Sequence, residues 1–159
     1  MLGERFRASR DPGARGTTEG RVLIVDDESS IRLICRLNLR SAGFDTLEAS
    51  DGASAIALAR AERPDLILLD VMLPDLDGWR VADELAESDE TREIPIVFLS
   101  ARSESGDQRH GHAAGGVGYI TKPFEPLEMT NTVRDVLVRV RRGERDAMRG
   151  EWERLLGAE

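Results

Sequence analysis

The chain carries a single cysteine and a single lysine in 159 residues. One thiol, Cys35, cannot close an internal disulfide, so a disulfide scaffold is excluded and a reducing compartment is expected. Cys35 falls among apolar residues of an expected helix, which implies a buried structural role. Aromatic residues make up only 4% of the chain. No stretch approaches the roughly 20 apolar residues that span a bilayer, and residues 1–20 hold no apolar run of the signal-peptide kind. A soluble, cytoplasmic protein with no membrane partner is therefore expected. A basic surplus is also missing: the formal net charge is −8. That argues against a nucleic-acid partner, which needs a basic footprint. Arginine fills every cationic position except Lys122, which reads either as a place for a compact ammonium in preference to a planar fork or as chance.

What is present alternates. Residues 1–20 are rich in Gly, Arg and small polar residues and read as a disordered lead. Val22 to Val25 is a short apolar run suited to a strand buried on both faces. Ser29 or Ser30 is placed to cap a helix to about Ala42, with Ile31, Ile34, Cys35 and Ala42 on its inner stripe and Gly43 as the stop. A strand over Phe44–Glu48 follows, then a helix opened by Asp51 and ended by Pro64. Leu66–Leu69 is a third strand and delivers Asp70 at its carboxyl end. Asp77 caps a helix to about Glu87, and Ile94–Leu99 is a fourth strand. Residues 103–115 should be helical by position but contain Gly106 and Gly111 and lack large aliphatic residues. Val117–Ile120 is a fifth strand. Pro126 opens a last helix whose core stripe is Met129, Val133, Val136, Leu137 and Val140. Residues 143–159 form a charged, helical tail with Met148, Trp152, Leu155 and Leu156 at helical spacing. Strands alternating with helices imply an α/β domain over 21–142, its parallel sheet covered on both faces.

Ligands of such sheets bind at the carboxyl ends of the strands. There the chain presents Asp26 and Asp27 after strand one, Asp70 after strand three, Ser100 after strand four and Lys122 after strand five. Three converging carboxylates repel one another unless a cation joins them, and Mg²⁺ is the hard ion that needs few carboxylate ligands. Phosphoryl transfer depends on positioning and charge neutralisation, and a carboxylate serves as nucleophile in aspartyl-phosphate chemistry. Asp26 and Asp27 then hold the metal, and Asp70 ligates it and attacks. Ser100 hydrogen-bonds a phosphoryl oxygen, and Lys122 pairs with its charge. Each residue alone has an ordinary reading as a cap or turn residue; their order along successive strand ends is what carries weight.

Four stretches complete the pattern: Val22-Leu23-Ile24-Val25-Asp26-Asp27-Glu28, Asp65 to Asp70 followed by Val71-Met72-Leu73-Pro74-Asp75-Leu76-Asp77-Gly78, Ile96 to Ala101, and Tyr119-Ile120-Thr121-Lys122-Pro123-Phe124. Over about residues 20–142 the chain resembles the CheY-like receiver domains of two-component response regulators. The resemblance implies a flavodoxin-like three-layer sandwich with a five-stranded sheet of order 2-1-3-4-5. It implies a sensor histidine kinase or phosphotransfer protein as phosphodonor and a downstream protein effector. It also implies the backbone carbonyl of Met72 as a further Mg²⁺ ligand, a loop shaped by Pro74 and Gly78, and a cis Lys122–Pro123 bond. Met72 and Arg102 would flank the approach of water. Ser100 and Tyr119 would form a switch that alters a face made by the fourth helix, fifth strand and fifth helix. No turnover enzyme is implied, only self-catalysed phosphorylation and dephosphorylation.

Nothing after residue 142 is long enough for a DNA-binding output domain, so a stand-alone receiver is expected. The alternative is a module of a larger or hybrid signalling protein, with the tail as a linker that dimerises on phosphorylation. A small phosphatase or nucleotide-binding enzyme fits poorly. No glycine-rich phosphate loop follows strand one, and Met72 stands where a general acid is needed two residues after Asp70. The departure from the family pattern is the glycine-rich stretch 103–118. It implies a labile fourth helix, with His110 and His112 exposed to solvent.

Overall fold

The computed structural model describes residues 18–101 and 105–157. The disordered-lead expectation for residues 1–17, and Arg102, lie outside the described residues. Five strands form one parallel sheet: β1 (Arg21–Val25), β2 (Asp45–Ala49), β3 (Leu66–Asp70), β4 (Ile96–Ser100) and β5 (Gly118–Thr121). Their order is β2-β1-β3-β4-β5, the flavodoxin-like arrangement. The helices are α1 (Ser29–Ser41), α2 (Gly52–Glu62), α3 (Gly78–Glu87), α4 (Ser105–Ala113), α5 (Pro126–Arg141) and α6 (Arg145–Gly157).

Alternation along each strand builds two cores, because successive side chains point to opposite faces. Leu23, Val25, Ile67, Leu69, Ile96 and Phe98 face α2 and α3. Val22, Ile24, Leu66, Leu68, Val97 and Leu99 face α1 and α5. All residues of β3 and β4 are buried, as expected for central strands of a doubly covered sheet.

Local chemistry sets most helix ends. Asp51 Oδ1 accepts from the Ser54 N–H at 2.7 Å, and Asp77 Oδ1 accepts from the Arg80 N–H at 2.9 Å. Pro126 occupies the first turn of α5, capped by Glu125. α1 differs from expectation. Its cap is Glu28, without a side-chain hydrogen bond, so neither serine caps it. Ile34 is 38% exposed, since the buried stripe runs through Cys35 and Leu39.

The weakest expected helix, α4, is present. Two glycines, one inside it and one just after it, have a packing reason. A Cβ on Gly116 would lie 2.6 Å from the Phe98 ring, and one on Gly111 would lie 3.0 Å from it and 3.2 Å from Trp79. Gly115, at φ +98, takes the left-handed turn after α4. Gly111 and Gly116 let backbone approach the aromatic core, so these two glycines mark close packing. Of the two histidines, His110 is exposed as expected and His112 is not. His110 stacks on Trp79 with ring centroids 4.4 Å apart. His112 is half-buried, and its Nε2 lies 2.9 Å from the Arg149 carbonyl.

The tail folds back as α6 against α4, with Met148, Trp152 and Leu156 buried. Leu155, expected on the same stripe, is 69% exposed. Arg139 ties α5 to the tail through Glu144 and a two-point contact with Glu151 at 2.8 and 2.9 Å.

Candidate functional site

The sheet topology brings the expected residues together. β1 and β3 are paired neighbours, so Asp26, one residue past β1, stands beside Asp70, the last residue of β3. Oxygens of Asp26, Asp27 and Asp70 lie within 4.8 Å of one another. Asp26 and Asp70 are buried and Asp27 is exposed, so the cluster opens to solvent on the Asp27 side. β5 delivers Lys122 into the same space. Its Nζ lies 2.7 Å from Asp26 Oδ2 and 3.6 Å from Asp70 Oδ2. The Lys122–Pro123 peptide bond is cis. Ser100, fully buried at the end of β4, pairs in register with Thr121 next to Lys122. Tyr119 is half-buried on β5, its ring centroid 6.4 Å from that of Phe98.

Backbone contacts fix the carboxylates. Asp26 Oδ1 accepts from the Glu28 N–H at 2.9 Å, and Arg32 donates to the Asp26 carbonyl at 2.7 Å. Asp70 Oδ1 accepts from the Met72 N–H at 3.2 Å. The Met72 side chain is 56% exposed. Gly78 donates its N–H to the Val71 carbonyl at 2.7 Å. A Cβ there would sit 2.6 Å from the Asp70 carbonyl oxygen and 2.8 Å from Val71 Cα. Only glycine lets α3 start this close to the strand end.

Electrostatics show a site short of positive charge. Burial, then the negative charge of Asp26, push the Asp70 pKa up to about 6, against the pull of Lys122 and the Met72 N–H. Burial works to lower the Lys122 pKa, but the close contact with Asp26 and the charges of Asp70 and Asp26 outweigh it, and the net shift is upward. Asp26 Oδ2 is buried and makes no well-aligned hydrogen bond among the described residues, although the Lys122 ammonium is 2.7 Å away. The ammonium offsets its charge without satisfying its lone pair in direction. The three carboxylates of Asp26, Asp27 and Asp70 form an oxygen donor set that fits a hard divalent cation.

Two contributors escaped sequence reasoning. Asp75 accepts from the Gly52 and Ala53 N–H groups at 2.7 and 3.0 Å, pinning the loop beyond Asp70 to the start of α2. Those two bonds hold its pKa below the usual carboxylate range. Asp75 follows Pro74 directly, but its partners lie 22 and 23 residues away. Arg149, in the tail, donates to the Gly116 and His112 carbonyls.

The comparisons with known proteins identify the family and the fold. Residues 22–134 match the response regulator receiver domain family. The alkaline phosphatase synthesis transcriptional regulatory protein PhoP of Bacillus subtilis is 43% identical over 119 residues, 75% of this chain and 49% of that protein. The DNA-binding dual master transcriptional regulator RpaA of Synechocystis is 41% identical over 122 residues, 77% of this chain and 51% of that protein. The chemotaxis protein CheY4 of Vibrio cholerae superposes with a TM-score of 0.70 at 32% identity, covering 73% of this chain and 97% of that one. The chain belongs to the response regulator receiver domain family. It spans about half the length of the curated relatives it matches. Among the described residues, no helix is long and apolar enough to cross a membrane.

Proposed function

We infer that this domain accepts a phosphoryl group on Asp70 from a histidine kinase or phosphotransfer protein. The observation that carries the reading is the buried Asp26–Asp70 pair around Lys122, with Asp27 completing the three-carboxylate cluster. A lone pair of an Asp70 carboxylate oxygen forms the new O–P bond as the donor's bond to phosphorus breaks, the electron pair leaving with the donor. Asp26, Asp27, Asp70 and the Met72 carbonyl would hold Mg²⁺. When bound, the ion neutralises charge on the carboxylates and the phosphoryl oxygens. Lys122 stands close enough to pair with the phosphoryl group, and Ser100 supplies a hydroxyl at the end of the neighbouring strand. Ser100 and Tyr119 then report the loaded state to the face formed by α4, β5 and α5.

A protein phosphodonor is supported by exposed apolar side chains flanking the site. Leu33 and Leu37 of α1, which begins two residues after Asp27, are 42% and 58% exposed, and Leu127 at the start of α5 is 65% exposed. These leucines offer a protein partner apolar surface to bury. The domain turns over no separate substrate, acts in the cytoplasm and signals to a downstream protein. Its acidity disfavours direct contact with nucleic acid. A second reading, a module working within a larger regulator that dimerises on phosphorylation, is favoured by the half-length coverage of the transcriptional regulators it matches.

The test is intact mass after incubation with Mg²⁺ and acetyl phosphate. The wild type should gain one phosphoryl mass, and Asp70→Asn should gain none. No gain by the wild type at any Mg²⁺ concentration would refute the phosphoacceptor assignment.

A further inference from the structure

The α4–β5 edge carries a helix that the phosphoacceptor site does not require. α6 presents Met148, Trp152 and Leu156 inward, an i, i+4, i+8 stripe on one helix face. Met148 joins the core beneath α1 and α5. The Trp152 ring stands edge-on to His112 of α4 at 5.2 Å and lies 6.4 Å from the Tyr119 ring of β5. Polar contacts run both ways. Arg149 donates to the carbonyls of Gly116 and His112 at 2.5 and 2.8 Å, satisfying acceptors at the end of α4. Arg109 of α4 donates to the Leu156 carbonyl at 2.5 Å.

This well-fitted segment is a poor helix by itself. It has 13 residues, a marginal length for an isolated helix in water. Gly150 lies in its interior, where a Cβ would meet only the end of the Arg154 side chain, at 3.6 Å. Unlike Gly111 and Gly116, it has no packing reason among the described residues, and it weakens the helix. Gly143, at φ +78, forms the joint with α5. A groove of about 290 Å³ stays open beside it, lined by Tyr119, Arg139 and Trp152.

We propose that α6 is a built-in ligand of the α4–β5 face, one that a partner helix must displace, and that loading Asp70 weakens its hold. The displacing partner is an amphipathic helix with an aromatic and aliphatic stripe and an arginine able to reach the carbonyls of Gly116 and His112. The link to Asp70 runs through one short strand. β5 carries Tyr119 against Trp152 and ends one residue before Lys122, whose ammonium is 3.6 Å from Asp70 Oδ2. A phosphoryl dianion draws that ammonium and loads the strand supporting α6. The gating half rests on the phosphoacceptor reading; the occupancy half does not.

The test uses the full chain and a fluorescently labelled peptide of residues 143–159. A resident α6 lowers apparent peptide affinity by the fraction of molecules in which the face is covered. Trp152→Ala and Arg149→Gln, each verified as folded by circular dichroism, should bind the peptide about tenfold or more tighter than wild type. Equal affinity in all three proteins, or no binding to either folded variant, overturns occupancy. Should Trp152→Ala fail to fold, Arg149→Gln, which leaves the apolar stripe intact, decides the point. Amide exchange across 145–157 is then compared with and without acetyl phosphate and Mg²⁺, on wild-type samples whose phosphoryl mass gain is measured in parallel. Faster exchange in loaded protein supports gating, and unchanged exchange in loaded protein refutes it. Absence of the mass gain refutes the phosphoacceptor reading and the gating half together, while the peptide result decides occupancy independently.

Discussion

Replacing Asp70 by asparagine should make the metal-free protein more stable. In the folded state burial, and then the charge of Asp26, raise the Asp70 pKa from 3.8 to about 6. Between those values the folded chain binds a proton that the unfolded chain has released. The stability linked to this group is therefore fully present below the lower value and is lost as pH rises through the upper one. At ~1.4 kcal/mol per pH unit, the gap amounts to about 3 kcal/mol by pH 7.5 and about half of that at pH 5. Asparagine has no charge to desolvate and keeps an oxygen able to accept the Met72 N–H. Urea unfolding of both proteins in EDTA, followed by far-UV circular dichroism at the two pH values, measures the difference. Asp70→Asn should lead by about 2–3 kcal/mol at the higher pH and by less at the lower. Adding Mg²⁺ should narrow the lead, because the wild type offers the fuller set of carboxylates and binding to the folded state stabilises it. A variant no more stable than wild type at pH 7.5, or a lead that grows toward pH 5, would sink the claim that Asp70 is held under electrostatic strain.

Gly78→Ala should cost about 1–3 kcal/mol, because its Cβ meets backbone atoms of Asp70 and Val71 at 2.6 and 2.8 Å. In the acetyl phosphate assay it should also slow the mass gain, and wild-type rates would show that the loop is not positioned by this contact. Cys35 is buried and its pKa is pushed up to about 12, first by burial and then by the charge of Asp26. A maleimide reagent at pH 8 should leave it unmodified in native protein and label it fully in urea; fast native labelling would contradict its place in the core.

Much of the site was legible in the order of residues because its parts are local. Strand runs such as Leu66–Leu69 announce themselves by continuous apolar character, and each ends on a polar residue. Asp51 and Asp77 cap the helices they precede through partners three residues away, and such short-range bonds follow from sequence spacing. Asp26, Asp70, Ser100 and Lys122 could be grouped in advance because a doubly covered parallel sheet gathers its strand ends along one edge.

Other features depend on what stands opposite. A glycine reads alike whether it loosens a helix or admits a neighbour. Only Phe98 at 2.6 Å from a Cβ on Gly116 shows that this part of the stretch after Ser100 is close-packed. Asp75 needs the start of α2 brought to it across the fold. In the tail, Leu155 and Leu156 are equivalent by hydrophobicity, yet one is exposed and the other buried, because the docking angle against α4 selects one face. The sequence alone determined the strand and helix alternation, the carboxylates and lysine at the strand ends, and hence the family. Tertiary structure decided the contact of Lys122 with Asp26, the use of glycines against Phe98 and the position of α6 over the α4–β5 edge. These are long-range contacts, whose partners no local pattern specifies.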